Sequence, residues 1–293
     1  MRYVLENDTL RVEIDSFGAE LKSVKRKSDG KEYMWYADKK YWGRTSPVLF
    51  PFVGNCRNKE YRYGGKTYAI GQHGFARDME HTMESQTADT IWFSLHSNEE
   101  TMEKYPFAFV LKIGYNLTGN ELKVMWKVEN PDTKTLYFSI GAHPAFLCPF
   151  NGEENKLGYG LQFAGLKEVH HHGNTPDTGL AVMSEDIVIP LENEKVYFTP
   201  GFFDRCTYMV EGKQTGEVSL VTPDGKPYVT MDFDAPLFAI WSPEGKDAPF
   251  VCIEPWYGRC DADDFDGTLE ERAYENAVEP EQTFEASYSI RYL

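Results

Sequence analysis

Apolar and polar residues alternate along many segments of the chain, with the period of two that is typical of β-strands packed by one face. The longest such segment has apolar side chains at every second position: Phe107, Phe109, Leu111, Ile113 and Tyr115. A second segment repeats the pattern at Leu122, Val124, Trp126 and Val128. The short connection Leu117-Thr118-Gly119-Asn120 predicts that these two strands form a long antiparallel hairpin.

Shorter strands are predicted by the same rule at Leu10, Val12 and Ile14, and at Ile91, Phe93 and Leu95. Gly64 and Gly65 separate two further strand-like segments, 61–63 and 66–68, and glycine permits the positive φ angles of a tight hairpin.

Helix signals are sparse. Two capping-box patterns, Ser97-x-x-Glu100 and Thr268-x-x-Glu271, each predict a helix of no more than two turns, before Met102–Tyr105 and Arg272–Glu275. Runs of strands without alternating helices favour a β-sandwich over a βαβ fold. We therefore predict an all-β fold, with residues 1–293 as one domain and a few short helices.

The formal charge of −16 excludes the classes of partner that require clustered basic residues, nucleic acids and anionic membrane surfaces. The first segment, MRYVLENDTLRVEID, is acidic where a signal peptide would be apolar, and no stretch is long and apolar enough to span a bilayer. These features predict a cytoplasmic protein, and they give no indication of its oligomeric state.

The five cysteines are scattered and show no CxxC spacing. This pattern indicates reduced thiols and neither disulfides nor a structural zinc site, so no metal is expected. Neighbouring histidines at His170-His171-His172 point to alternate faces of an extended segment and cannot chelate together, which favours a polar loop. The acidic stretch 261–267 departs from the calcium-loop pattern and is interpreted as a solvated loop.

Three segments combine a titratable side chain with residues that end or bend strands. They contain His73, His143 and Glu254, and each also carries an aromatic residue. Glu254 follows the apolar run Val251-Cys252-Ile253, so a carboxyl group is predicted at the end of a buried strand; it either pairs with an arginine such as Arg259 or has a function. Nucleotide-binding, serine-hydrolase and zinc-protease motifs are not found.

Four segments in this order resemble the LacX-type branch of the aldose 1-epimerase (galactose mutarotase-like) family. They are Ser46–Gly54, Gln72–Arg77, Gly141–Phe146 and Ile253–Gly258. The resemblance extends over essentially the whole chain. It implies a β-supersandwich that holds an aldose sugar on one concave sheet face and interconverts its α and β anomers by ring opening, without a cofactor.

The resemblance also implies roles for individual residues. Glu254 resembles the general base of the family, His143 the general acid, and His73 a second histidine at the sugar. Asp204 resembles an aspartate that binds sugar hydroxyls. From their residue type, the aromatic rings of Trp241, Trp256 and Tyr257 are expected to stack on the C–H face of the sugar.

The position of the family's sugar-binding arginine is occupied here by Asn55, so that Arg57 or Arg77 would have to supply the guanidinium. Burial by Trp256 and Phe50 is expected to raise the pKa of Glu254, and a histidine beside a carboxylate is expected to keep its proton longer.

Two other functions fit the same residues. One is a sugar-binding protein without turnover, and the other is a glycoside hydrolase that uses Asp204 and Glu254 as its two carboxyl groups. A phosphorylated sugar would require basic residues at the mouth of the pocket, where Arg57, Arg77 and Arg259 are available.

Overall fold

The computed structural model describes residues 1–293 and contains twenty-four β-strands and one α-helix. The strands of the first half are β1 (Arg2–Glu6), β2 (Leu10–Asp15), β3 (Glu20–Arg26), β4 (Val48–Leu49), β5 (Glu60–Tyr63), β6 (Lys66–Ala69), β7 (Thr82–Gln86), β8 (Thr90–His96), β9 (Val110–Thr118), β10 (Glu121–Glu129), β11 (Leu136–Phe138), β12 (Ile140–Ala142) and β13 (Ala145–Leu147). Those of the second half are β14 (Gly160–Phe163), β15 (Glu168–Asn174), β16 (Ala181–Pro190), β17 (Lys195–Tyr197), β18 (Tyr208–Glu211), β19 (Glu217–Val221), β20 (Pro227–Phe233), β21 (Leu237–Trp241), β22 (Phe250–Tyr257), β23 (Asn276–Val278) and β24 (Thr283–Tyr292). The helix α1 spans Glu99–Lys104, and single 3₁₀ turns span Arg57–Lys59, Ala76–Asp78 and Leu269–Glu271. The all-β prediction is confirmed.

Two large antiparallel sheets form the body of the protein. One has nine strands in the order β17-β14-β19-β20-β24-β10-β9-β8-β7. The other follows the order β16-β15-β18-β21-β22-β12-β4, with β13 pairing beside β12 on β22. Three smaller sheets, β1-β2-β3, β5-β6 and β11-β23, complete the fold.

The main hydrophobic core lies between the two large sheets. A single cluster of 63 buried residues contains side chains from both of them. Phe163 on β14 packs against Phe238 on β21 with ring centroids 6.2 Å apart, and Trp126 on β10 meets Tyr257 on β22 at 6.3 Å. The predicted sandwich is thus held together by large apolar side chains that alternate along each strand.

The predicted hairpins are confirmed. Strands β9 and β10 pair so that Tyr115 lies opposite Val124 and Ile113 opposite Trp126, which places their apolar residues on one face. Strands β5 and β6 are joined by Gly64 and Gly65, whose φ angles are +56° and +75°.

The two predicted helices differ from the structure in detail. The N-cap of α1 is Asn98 rather than Ser97: its side chain accepts a hydrogen bond from the Thr101 amide at 3.0 Å, and its own amide donates to the Thr101 hydroxyl at 2.8 Å. Near the C-terminus the Thr268 amide does donate to Glu271 at 2.8 Å. However, only the 3₁₀ turn Leu269–Glu271 follows, because the chain is already extended at residue 272.

Two local interpretations need correction. The histidine triplet lies in strand β15 rather than in a loop, with His171 buried and its two neighbours on the other face. Asp261 is buried and forms an ion pair with Arg272 at 2.7 Å, so the acidic stretch is solvated only beyond its first residue. All five cysteines are free and buried. No helix in the structure is long and apolar enough to cross a membrane.

Candidate active site

Strand β22 divides its side chains between two environments. Val251 and Ile253 point into the core between the sheets. Cys252, Glu254 and Trp256 point the other way, toward the outer face of the eight-stranded sheet, because side chains alternate along a strand. The site is therefore built on the sheet face that is turned away from the main core.

Glu254 lies inside β22 and not at its end, where the sequence predicted it, since the strand runs on to Tyr257. The neighbouring strand β21 places Ala239 opposite Glu254. The methyl group of Ala239 leaves space beside the carboxyl group, which is 1% exposed.

His143 reaches Glu254 through a break in strand pairing. Strand β12 pairs with residues 256 and 257 of β22, and β13 pairs with residues 250 to 252. The two residues between β12 and β13, His143 and Pro144, consequently lie beside the unpaired stretch that contains Glu254. The Nε2 atom of His143 lies 3.4 Å from Oε1 of Glu254.

Two tryptophans fix the imidazole of His143. Trp42 stacks on it, with ring centroids 4.7 Å apart and the planes 26° from parallel. Trp241 meets it edge-on at 5.2 Å. The rings restrict rotation of the imidazole and exclude water from it, so the histidine is held in one position relative to Glu254.

His73 adopts a left-handed backbone conformation, with a φ angle of +62°. Its amide donates to the carbonyl of Gly54 at 2.8 Å, and the Gly54 amide donates back to Nδ1 of the imidazole at 3.0 Å. Because Nδ1 accepts this bond, the proton of the neutral ring is on Nε2. His73 therefore presents an N–H donor, and its ring lies 5.7 Å from that of His143.

A cavity of about 430 Å³ brings these groups together. Its walls include all three predicted reacting side chains, Glu254, His143 and His73. The remaining lining residues are Trp42, Gly54, Asn55, Gln72, Arg77, Asn174, Pro176, Asp177, Thr178, Gly179, Thr207, Met209, Trp241, Glu244, Trp256 and Cys260. This volume and this mixture of aromatic and polar walls suit a small polar ligand.

Burial determines the protonation behaviour of the carboxyl group. Desolvation raises the pKa of Glu254 well above the ordinary carboxyl value and outweighs the nearby indole N–H of Trp256, which acts to lower it. The predicted direction is correct. The predicted role of Phe50 is wrong, because Phe50 belongs to the core on the other side of the sheet.

The prediction for His143 is wrong in direction. Burial, reinforced by the positive charges of Arg77 and Arg44, lowers the pKa of His143 to about 3. Desolvation of the imidazolium outweighs the attraction of a carboxyl group that is itself driven toward its neutral form. The pKa of His73 is also lowered by burial. The buried pair thus favours a proton on Glu254 and a neutral imidazole on His143.

The structure separates the predicted binding residues into two groups. Asn55, Arg77 and Trp256 line the cavity with the reacting groups. Burial and the adjacent Arg44 lower the pKa of Arg77 to about 10.

Arg57 and Asp204 lie outside this cavity. The Arg57 guanidinium donates to the carbonyl of Phe265 at 3.0 Å and faces neighbouring hollows. Asp204 accepts a bond from the Gly245 amide at 3.0 Å and lines another cavity. Tyr257, considered for stacking, faces the core.

Sequence reasoning missed three parts of the site: Trp42, Glu244 and the loop 174–179. Trp42 stands in an irregular segment without periodicity, so no pattern indicated its position. The loop shows turn residues, Asn174, Pro176 and Gly179, but nothing in them specifies the strand ends that they cover.

Comparisons with known proteins agree with this geometry. Residues 1–261 match the family model described as aldose 1-epimerase. Protein LacX from Lactococcus lactis subsp. lactis is 33% identical over 301 residues, with 100% of both chains covered.

Two solved structures are similar over the full chain. A galactose mutarotase related enzyme from Lactobacillus acidophilus has a TM-score of 0.94 and 36% identity, covering 100% of this chain and 97% of the other. A galactose mutarotase-like protein from Lactobacillus casei has a TM-score of 0.91 and 29% identity, with 100% of both chains covered.

Proposed function

The chain belongs to the aldose 1-epimerase family, and on this premise we propose that it is a mutarotase that interconverts the α and β anomers of a free hexose. The observation that carries the proposal is the buried pair of Glu254 and His143, whose reacting atoms lie 3.4 Å apart at the wall of a sugar-sized cavity.

Mutarotation requires one base and one acid. The base removes the proton of the anomeric hydroxyl, the acid protonates the ring oxygen, the C1–O5 bond breaks and a carbonyl forms at C1. Both oxygens are bonded to the same carbon, so two groups that lie side by side reach them together.

Glu254 and His143 recover their starting protonation states by the end of the reaction. Ring opening by the Glu254 carboxylate and the His143 imidazolium leaves a neutral carboxylic acid and a neutral imidazole. After rotation about C1–C2, the carboxylic acid returns its proton to the carbonyl oxygen, and the imidazole takes back the proton of the O5 hydroxyl as the ring closes on the other face. Both states of the pair hold one proton, so the form that burial favours, a neutral carboxyl group and a neutral imidazole, becomes the reacting form when that proton moves from Glu254 to His143, without exchange with solvent.

The other groups of the cavity have supporting roles in this proposal. The Nε2–H of His73 donates to a sugar oxygen, and Arg77 and Asn55 bind hydroxyl groups. Trp256 and Trp241 cover the apolar face of the sugar ring. Each proton transfer by a positioned side chain contributes about 10²–10⁴-fold to the rate.

The hydrolase alternative is disfavoured by the position of Asp204, since it lines a different cavity from Glu254 and is not available as the second carboxyl group. A binding protein without turnover would have the same cavity, and only an activity measurement separates it from a mutarotase.

Polarimetry on freshly dissolved α-glucose or α-galactose tests the proposal. We expect the protein to accelerate the change in optical rotation, and we expect Glu254→Gln and His143→Asn each to remove nearly all of the acceleration. His81→Asn, which alters another buried histidine outside the cavity, is the matched control and should retain activity. No acceleration with any common aldose would overturn the proposal, and release of sugar from aryl glycosides would favour a hydrolase.

A further inference from the structure

Cys252 lies directly beside the reacting pair. A nitrogen of His143, the sulfur of Cys252 and a carboxyl oxygen of Glu254 all lie within 4.8 Å of one another. All three residues are buried, with exposures of 8%, 0% and 1%. An imidazole, a thiol and a carboxyl group therefore converge at one point, where His143 and Glu254 line the cavity and Cys252 lies behind them in a small apolar cluster.

The strand geometry explains this convergence. Cys252 and Glu254 are two positions apart on β22, so their side chains leave the same face in parallel. His143 approaches from the gap between β12 and β13, beside the same stretch of β22. The three ligands are thus fixed by the backbone of the sheet and not by a mobile loop.

Two buried polar atoms of the trio have no protein partner. Oε2 of Glu254 and Nδ1 of His143 are buried without a hydrogen bond. Buried polar groups without partners destabilise a fold, and natural proteins rarely retain them without a role. Catalysis uses one oxygen and one nitrogen of the pair, but it assigns no task to the neighbouring thiol.

We propose that His143, Cys252 and Glu254 form a binding site for a borderline or soft divalent cation such as Zn²⁺ or Cd²⁺, and that the bound cation blocks catalysis. Nitrogen, sulfur and carboxylate oxygen are the ligands that such ions prefer, and three protein ligands leave a fourth position open to the cavity. The cation replaces the thiol proton and any proton on Glu254, and these pass to solvent.

The bound cation would block catalysis because two of its ligands are the groups that transfer protons. A cation that coordinates Glu254 and His143 prevents both proton transfers, so an aldose and the cation compete for the same groups. This half of the inference depends on the proposed mutarotase function, whereas cation binding does not.

Titration of the metal-free protein with Cd²⁺ tests binding directly. We expect one equivalent to bind and to produce the ultraviolet charge-transfer band of a cadmium–thiolate bond. Cys252→Ala should lose the band and weaken binding at least about 10-fold, as should Cys252→Ser if the alanine variant folds poorly. Cys148→Ala, a buried cysteine in the main core, is the matched control and should keep the band.

A second control addresses the exposed histidine cluster, in which His170 contacts Asp186 at 2.8 Å. His170→Gln should leave the thiolate band unchanged. Mutarotation should fall in step with cadmium occupancy in the wild type and resist cadmium in Cys252→Ala, whose activity without metal should remain.

Absence of the band in the wild type, or its persistence in Cys252→Ala, would overturn the site. Activation by the cation, or equal inhibition of the wild type and Cys252→Ala, would overturn blocking through this site. A wild-type protein without mutarotase activity would remove the proposed function, while the thiolate band would still decide whether the site exists.

Discussion

Replacing Glu254 by glutamine, Glu254→Gln, should make the free energy of unfolding less dependent on pH. Burial raises the pKa of this carboxyl group well above its ordinary value of 4.5, so the folded protein holds a proton that the unfolded chain releases above that value. The stability that the group contributes is fully present below pH 4.5 and is lost as the pH rises toward the folded-state pKa. Each pH unit in that interval lowers the free energy of unfolding by about 1.4 kcal/mol.

The measurement compares wild type and Glu254→Gln by urea unfolding at about pH 5.5 and about pH 6.5, followed by tryptophan fluorescence. The wild type should lose about 1.4 kcal/mol relative to the variant across this unit. His143 acts in the opposite sense, since its pKa is lowered and its contribution is lost as the pH falls below 6.5. Its shift arises from burial and neighbouring arginines, so it cancels in the difference between the two proteins.

Glu244→Gln, which changes another carboxyl group at the same cavity, is the control for the loss of a titratable group. If the difference in stability between wild type and Glu254→Gln stays constant across this pH unit, Glu254 is ionised in the folded protein. Burial would then not hold a proton on Glu254, and the proton preference assigned to the pair would be refuted.

Two further predictions concern the walls of the cavity and a third concerns a residue outside it, and all three can be checked by polarimetry. Gly54→Ala should lower kcat/KM by about 100-fold, because the added carbon would lie 2.5 Å from Cβ of Cys260 and displace the backbone that holds His73. A fully active variant would show that the backbone contact between Gly54 and His73 is not required. Arg77→Met should raise KM by about 10-fold with a smaller effect on kcat, and an unchanged KM would argue against its role in binding. Asp204→Asn should retain activity within about twofold because its carboxyl group lies in another cavity, and a loss as large as that of Glu254→Gln would restore the role that the sequence indicated.

Local patterns predicted much of the fold. The β9–β10 hairpin and the tight turn at Gly64 and Gly65 follow from alternation and turn chemistry, which act between neighbours in sequence. The order of strands across the two sheets could not be read in this way. It depends on pairing between segments that are far apart in the chain, such as β22 with β12, and their register is set by the packed core.

The candidate site was also predictable only in part from local sequence patterns. The residues around Glu254 indicated a buried strand, but Pro255 suggested that it ends there. In the structure Pro255 lies in the stretch that neither β12 nor β13 pairs, so its missing N–H leaves no hydrogen bond unmade on that side and the strand continues. Short similarities around Arg57 and Asp204 identified residue types without fixing which cavity they enter.

The cluster of His143, Cys252 and Glu254 shows why spacing rules have limits. Metal motifs such as CxxC describe ligands that are close in sequence, whereas this cluster joins two alternate positions of one strand to a residue from a distant pairing gap. Only the sheet register brings the third ligand to the other two.

The break between β12 and β13 has a consequence for how the protein acquires activity after synthesis. His143 meets Glu254 only when both short strands have docked on β22, which closes a long loop and is entropically expensive. Partly assembled chains should therefore be inert even when most hairpins have formed. During refolding from urea, the return of turnover should lag behind the return of β-sheet circular dichroism.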